Sequence, residues 1–122
     1  PSGFTFKLLN KEEIVLWGDG SEFREFIFVD DVGRIVDRLV RHDIEGVVNL
    51  VSGTSYTFKQ IIDNLEILSR CNVNVVSRSR TKEKVDHHFS NSTIKSALGN
   101  IEFTSLYDGL WETYISMKNE LK

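Results

Sequence analysis

Residues 18–31, GDGSEFREFIFVDD, constrain the fold more than any other stretch of the chain. Their two glycines predict a tight turn, and the alternating side chains that follow predict a strand over residues 25–29. From Asp31 onward, apolar residues recur every three or four positions, which predicts an amphipathic helix capped by Asp30 or Asp31. The chain is therefore expected to pass from a turn into a strand and then directly into a helix.

Strands and helices are predicted to alternate along the rest of the chain as well. Residues 4–9 are expected to end a helix, and the apolar run at residues 14–17 is expected to form a buried strand. Residues 47–51 are apolar on both faces except for Asn49, which is typical of a strand covered by helices. The next predicted helix is opened by a capping box of Thr57 and Gln60, and its buried stripe is Phe58, Ile61, Ile62, Leu65 and Leu68. The other predicted elements are a strand over residues 73–76, a charged loop over residues 77–88, a helix over residues 93–98 ended by Gly99 in the left-handed helical conformation, and a final helix capped by Ser105.

This alternation predicts an α/β protein with right-handed crossovers. A chain of 122 residues is long enough for one domain with its own core and too short for two, so residues 1–122 are expected to form a single domain. The net charge is −3, and lysines and arginines are scattered along the sequence, so we expect no nucleic-acid partner. No segment approaches the roughly 20 consecutive apolar residues of a membrane-spanning helix, so we expect no membrane partner.

Cysteine and histidine usage argues against a disulfide framework and a metal site. Cys71 is the only cysteine, so it has no thiol partner within the chain, and a reducing cytoplasm is the expected location. His87 and His88 are adjacent, so on an extended chain their side chains diverge and suit a shared metal poorly. We therefore expect both histidines at the surface and no metal ligand among them.

The glycine turn, residues 18–22, and its neighbours leave two interpretations open. By itself the turn predicts a hairpin-like connection, because no third glycine follows at the spacing of a dinucleotide-binding fingerprint and the next element is a strand. Arg24 is either a surface residue in an exposed ion pair or a ligand for a phosphate, which its forked guanidinium suits. Trp17 is as well placed for the core as for contact with a ligand.

Taken together, these segments resemble the NAD-dependent epimerase/dehydratase family, the nucleotide-sugar-modifying branch of the extended short-chain dehydrogenases/reductases. The family has a similar glycine turn, arginine, aromatic strand and aspartate-led helix in the second half of its chains. The similarity continues through VVNLVSG, YTFKQIIDNL and KVDHHFSNSTIKSALGNIEFTSLYDGLWETY, nearly to the end of the sequence. The residues that match the central motif are Gly18, Gly20, Arg24, Phe26, Val29 and Asp31.

The resemblance implies that residues 1–122 form the C-terminal substrate-binding portion of an extended Rossmann-type enzyme, without the N-terminal dinucleotide-binding region. A first residue, Pro1, that is not methionine agrees with this expectation. In the intact enzyme the resemblance implies NAD or NADP, a nucleotide-sugar substrate and a homodimer. This portion alone would bind no cofactor and be inactive. A stand-alone binding module or an oligomerisation module derived from the family is the alternative.

The resemblance also implies roles for individual residues. Arg24 would contact the substrate's diphosphate, and Val15 and Trp17 would lie along the nucleotide base. Family members often supply a second arginine from an arginine-proline pair, and this chain has Arg78 and Arg80 there but no proline, so either arginine or neither would take that role. No catalytic residue is expected in this portion.

Tyr114 and Lys118 have the spacing of the family's catalytic tyrosine-lysine pair but do not match its position. In the family that pair precedes the segment corresponding to residues 18–31, whereas Tyr114 lies near the end of the chain. Tyr114 also falls on the apolar stripe of the final predicted helix. We therefore expect it in the core.

Overall fold

Five helices and four short strands make up the fold, which confirms the predicted α/β class. The computed structural model describes residues 1–122. In chain order the elements are α1 (Ser2–Leu9), β1 (Ile14–Trp17), β2 (Phe23–Glu25), α2 (Val29–Arg41), β3 (Ser55–Thr57), α3 (Phe58–Ser69), β4 (Val75–Arg78), α4 (Ser92–Leu98) and α5 (Leu106–Glu120). None of the helices is both long and apolar enough to span a bilayer.

The strands form two separate two-stranded sheets. β1 and β4 pair in parallel, with Ile14 opposite Val75 and Trp17 opposite Arg78. β2 and β3 pair antiparallel, so the strands on either side of the glycine turn join different sheets. The predicted hairpin-like connection is therefore wrong. A parallel partner suits β1 because its alternation buries Ile14 and Leu16 against α3, which belongs to the crossover between β1 and β4.

The start of α2 also differs from the prediction. The strand expected over residues 25–29 is the shorter β2, Phe23–Glu25, and extended backbone then leads to a helix that begins at Val29. Its N-cap is Phe28, which has no side chain able to cap, so neither Asp30 nor Asp31 is the cap. Both aspartates lie in the first helical turn instead, where the helix dipole favours negative charge.

No strand forms over residues 47–51, so that prediction is wrong. Val47 is 94% exposed, and only Val51 at the other end of the segment is buried. Strand geometry needs a neighbour to satisfy its backbone groups, and no other strand of this chain lies alongside the segment. The segment is fixed at its end instead, where the Ser52 N–H donates to Glu25 Oε1 at 2.7 Å.

The predicted helix caps after residue 51 are confirmed, apart from the detail of Gly99. Thr57 and Gln60 form a reciprocal capping box on α3, and the Ser105 hydroxyl accepts from the Asp108 N–H at the start of α5. The Gly99 backbone that ends α4 has a φ of +73° and a ψ of −141°, so it has positive φ but not the predicted left-handed helical conformation. Short-range signals of this kind depend only on residues three or four positions apart.

The two faces of α3 organise the core. On one face, Ile61, Leu65 and Leu68 pack with Leu110 of α5, and on the other face Ile62 packs with β1. α1, predicted from residues 4–9, contributes Phe4 to both clusters. A third cluster joins α2 to α4 through Ile35, Ile94 and Leu98. The predicted buried stripe of α3 thus holds the β1–β4 pair and the last helix together.

Asp31 connects α2 to the segment that precedes α5. Its carboxylate is 3% exposed and accepts hydrogen bonds from the Thr104 N–H at 2.7 Å, the Thr104 hydroxyl at 2.8 Å and Arg34 Nη2 at 2.8 Å. Burial acts to raise the pKa of Asp31, but the bonds from Thr104 and Arg34 outweigh it and hold the pKa below its ordinary value. The ionised carboxylate therefore stabilises the fold.

We predict that Asp31→Asn lowers the free energy of unfolding at pH 7 by about 1–3 kcal/mol, because the amide cannot accept all three bonds and leaves buried donors unpaired. A lowered folded-state pKa stabilises the protein above the unfolded-state pKa and ceases to do so as the pH falls through the folded-state value. The difference between wild type and variant should therefore shrink below about pH 4.

Urea denaturation at pH 7 and at pH 3 tests this prediction. Asp37→Asn is the matched control, because Asp37 makes an exposed pair with Arg41 on the same helix. That control should change stability by no more than about 0.5 kcal/mol. Equal effects of the two substitutions at pH 7 would contradict the role given to Asp31.

Candidate functional site

The carboxyl ends of β1 and β4 bring an exposed aromatic ring beside an arginine. Trp17 and Arg78 are register partners at the end of the parallel pair, and the Arg78 guanidinium carbon lies 6.0 Å from the centre of the Trp17 ring. The tryptophan is 55% exposed, so of the two alternatives left open for it the core position is wrong. Val15 pairs with Val76 and shares the strand face of Trp17, opposite the buried Ile14 and Leu16.

Arg80 follows β4 and lies across the glycine turn. Its Nη1 donates to Glu22 Oε1, and its Nη2 is 3.6 Å from Asp19 Oδ1. Gly18 makes this placement possible, because a Cβ at that position would lie 2.7 Å from Arg80 Nη2 and closer still to Nε. Gly18 also has a φ of +92°, a conformation that favours glycine.

Arg24 of β2 approaches the same carboxylate from the other side. Its Nη2 donates to Glu22 Oε2 at 3.1 Å, and its Nη1 donates to the carbonyl oxygens of Phe23, at 2.8 Å, and Val85. The guanidinium carbon also lies 5.6 Å from the centre of the Phe58 ring. Arg24 is therefore a partly buried ion-pair partner rather than a solvated surface residue.

A cavity of about 250 Å³ opens beside this cluster, and we call it the Arg80 cavity. It contains one aromatic ring, two cationic side chains and two carboxylates, and it is open to solvent. Its lining residues are Trp17, Glu22, Arg80, Thr81, Lys82 and Glu83. Arg24, Arg78 and Val15 do not line the cavity. Arg24 donates a hydrogen bond to the lining residue Glu22, and Arg78 lies against the ring of the lining residue Trp17. Of the five residues predicted to contact substrate, Trp17 and Arg80 line the cavity, and Arg24 and Arg78 each contact a lining residue.

Glu22 was not among the predicted site residues, although it connects two of them. Its side chain is 16% exposed, and each carboxylate oxygen accepts from a different arginine. The sequence could have indicated the pairing of Glu22 with Arg24, because the two residues are two positions apart and therefore share a face of an extended chain. The pairing with Arg80 is 58 positions distant and has no local signature.

Hydrogen bonds lower the pKa of two carboxyl groups near the cluster, Asp19 and Asp86. The Ser21 hydroxyl and N–H donate to Asp19 and lower its pKa, with a smaller contribution from Arg80. The Phe23 N–H donates to Asp86 at 3.0 Å and lowers the pKa of that carboxyl group, and Lys84 acts in the same direction. Fixed charges of both signs therefore surround the cavity, and its cationic members are Arg80 and Lys82.

The glycine turn does not fit a dinucleotide cofactor. Phosphate binding by such a turn requires a helix N-terminus directly after it, and the element that follows here is β2. The interpretation that the turn is not a dinucleotide fingerprint is thus consistent with the structure. No group of three or more histidine, cysteine, aspartate or glutamate side chains is placed to hold a metal ion.

The remaining candidate residues lie away from the cavity or at the surface. His87 and His88 are both exposed, as predicted, and pack edge-on or tilted against Phe89 and Phe23. Tyr114 packs against the cluster formed by α3 and α5, and the Lys118 ammonium lies 5.6 Å from the centre of its ring. Tyr114 is thus half-buried at the edge of the core, not a fully buried core residue as predicted.

Comparison with known proteins shows which family and which relatives this chain resembles. The profile of the NAD dependent epimerase/dehydratase family matches residues 2–51. The chain is 31% identical over 110 residues to probable GDP-L-fucose synthase 1 of Oryza sativa subsp. japonica, covering 88% of this chain and 33% of the relative. The chain is thus similar to the NAD-dependent epimerase/dehydratase family over residues 2–51 and to relatives named GDP-L-fucose synthases over most of its length. Putative GDP-L-fucose synthase 2 of Arabidopsis thaliana is 29% identical over 109 residues, again covering 88% of this chain and 33% of the relative.

Solved structures of the epimerase/dehydratase family share the fold. The UDP-glucose 4-epimerase of Thermotoga maritima, solved with UDP-glucose, superposes with a TM-score of 0.82 and is 27% identical. The match covers 98% of this chain and 39% of the epimerase. The present chain thus spans about a third of the length of the curated relatives that it matches.

We predict that Gly18→Ala destabilises the protein more than Gly46→Ala does. Gly46 has a similar φ of +96°, but no atom lies within 4 Å of the point that its Cβ would occupy, so both variants carry the ~1 kcal/mol cost of positive φ. Only Gly18→Ala must also displace Arg80 from Glu22, which should cost a further ~1 kcal/mol. Thermal denaturation of the two variants measures the difference, and equal melting temperatures would mean that Gly18 does not fix Arg80.

Proposed function

We propose that this chain is the C-terminal nucleotide-sugar-binding portion of an NAD- or NADP-dependent epimerase/dehydratase. In this role it holds the nucleotide diphosphate while the sugar is transiently oxidised and reduced by the cofactor. The observation that carries the proposal is the Arg80 cavity, where arginines from β2 and from the segment after β4 converge beside an exposed tryptophan.

The arginine pair supports binding of a diphosphate. Arg24 Nη2 and Arg80 Nη1 are directed at one shared point, which Glu22 now occupies. A phosphate group accepts such charged donors more strongly than a neutral acceptor does. Lys82 lines the same cavity and adds a third positive charge. The cavity volume of about 250 Å³ is below the ~300–1,000 Å³ of whole-ligand pockets, so it suits part of a nucleotide sugar.

The exposed ring of Trp17 supports a role for β1 in holding the base. Aromatic side chains stack on nucleotide bases of any sequence because every base has a π-face. Arg78 covers one face of this ring, and Val15 continues the same strand face. We infer that the base lies along β1 while its diphosphate reaches Arg80.

The relatives suggest which classes of substrate to test. Two matched proteins are named GDP-L-fucose synthases, and the superposed epimerase was solved with UDP-glucose. Since the glycine turn does not fit a dinucleotide, we propose that NAD or NADP binds a region outside residues 1–122 and that this chain alone has no activity. A homodimer and a cytoplasmic location remain predictions.

Arg24→Ala should weaken binding of UDP-glucose or GDP-L-fucose about tenfold or more, because it removes charge-assisted bonds worth about 1.5–3 kcal/mol. Isothermal titration calorimetry of the chain with each nucleotide sugar measures the effect. Arg41→Ala is the matched control, since Arg41 is an exposed arginine of α2 paired only with Asp37. Circular dichroism should confirm that both variants keep wild-type helix content.

The proposed function has two clear ways to fail. If neither nucleotide sugar binds the wild-type chain, the substrate-binding role is wrong. If Arg24→Ala and Arg41→Ala bind equally well, a role for Arg24 at the phosphate is wrong.

A further inference from the structure

Glu22 occupies the point at which the two phosphate-binding arginines converge. Its Oε1 accepts from Arg80 Nη1, and its Oε2 accepts from Arg24 Nη2 at 3.1 Å. A carboxylate bridging two guanidinium groups imitates the contacts that a phosphate would make there. The arginines of the site therefore have an internal acidic partner.

Both arginines have other contacts that hold them in place without Glu22. Arg24 Nη1 remains bonded to the carbonyl oxygens of Phe23 and Val85. Arg80 lies against the glycine turn, within 3.6 Å of Asp19. The site would therefore keep its shape if the Glu22 side chain moved away.

Glu22 is placed where its side chain can leave. It lines the open Arg80 cavity, and it is the residue directly before β2, outside the β2–β3 ladder that begins at Phe23. Rotation of its side chain toward solvent breaks no backbone hydrogen bond of the sheet. A ligand that enters the cavity can thus displace the carboxylate without unfolding β2.

We propose that Glu22 is an internal competitor that occupies the phosphate subsite until a diphosphate displaces it. This inference rests on the proposed function. A diphosphate carries more negative charge than a carboxylate and offers several acceptor oxygens, so it can replace Glu22 at both arginines. An anion with a single charge gains less from the exchange. Glu22 therefore lowers affinity and favours diphosphate ligands over singly charged anions.

Calorimetric titration of UDP-glucose into Glu22→Gln tests the competition. The variant should bind about tenfold or more tightly than wild type, because the neutral amide competes weakly for the arginines. Glu83→Gln is the matched control, since Glu83 lines the same cavity and loses the same charge but pairs with neither arginine. It should change the affinity less than about threefold, the general effect of one less negative charge in the cavity. Formate in place of UDP-glucose should bind Glu22→Gln better than wild type as well.

A second measurement uses the wild-type chain and does not depend on the variant's folding. Carbon-13 NMR of the glutamate carboxyl groups, assigned with Glu22→Gln or with a specific label, reports whether Glu22 keeps its arginine partners. UDP-glucose should shift the Glu22 resonance and leave that of Glu12, a residue of the exposed loop before β1, unchanged.

The outcomes separate this inference from the proposed function. If UDP-glucose binds and Arg24→Ala weakens it, but Glu22→Gln has no larger effect than Glu83→Gln, the competition is wrong and the proposed function stands. A Glu22 resonance that does not shift when UDP-glucose binds would likewise show that the competition is wrong, while the proposed function stands. If neither wild type nor Glu22→Gln binds UDP-glucose, GDP-L-fucose or pyrophosphate, both proposals are wrong.

Discussion

The parallel pairing of β1 with β4 is the interaction on which the candidate site depends. Parallel strands end at the same edge, so the pairing sets Trp17 beside Arg78 and directs Arg80 back across the glycine turn. α3 supports this arrangement by covering the other face of β1 through Ile62. Apolar packing on one side of the pair thus places the charged residues on the other side, where they line an open cavity.

Features determined by near neighbours in the sequence could be predicted, and those determined by distant partners could not. The capping box of Thr57 depends on a residue three positions away, and the structure contains it. Residues 47–51 have the composition of a strand, but composition does not supply the neighbouring strand. Aspartate is a common helix cap, but the Asp31 carboxylate instead accepts a hydrogen bond from Thr104, which lies 73 positions later.

The same distinction holds at the candidate site. The resemblance to a family indicated Trp17, Arg24, Arg78 and Arg80, and the structure brings these four side chains to one end of the β1–β4 pair. The resemblance gave no information on Glu22. The family motif indicates which side chains contact the substrate, but it does not indicate which side chains pair with each other. The pairing of Glu22 with Arg80 spans 58 positions of sequence and therefore appears only in three dimensions.

The close approach of Arg80 to the backbone at Gly18 has a consequence for substitutions. A side chain at position 18 would meet the flexible end of Arg80, so the guanidinium group would have to move away from the turn. A shorter residue at position 80 would remove that conflict and, with it, one positive charge of the cavity. The effects of substitutions at these two positions are therefore expected to be coupled rather than additive.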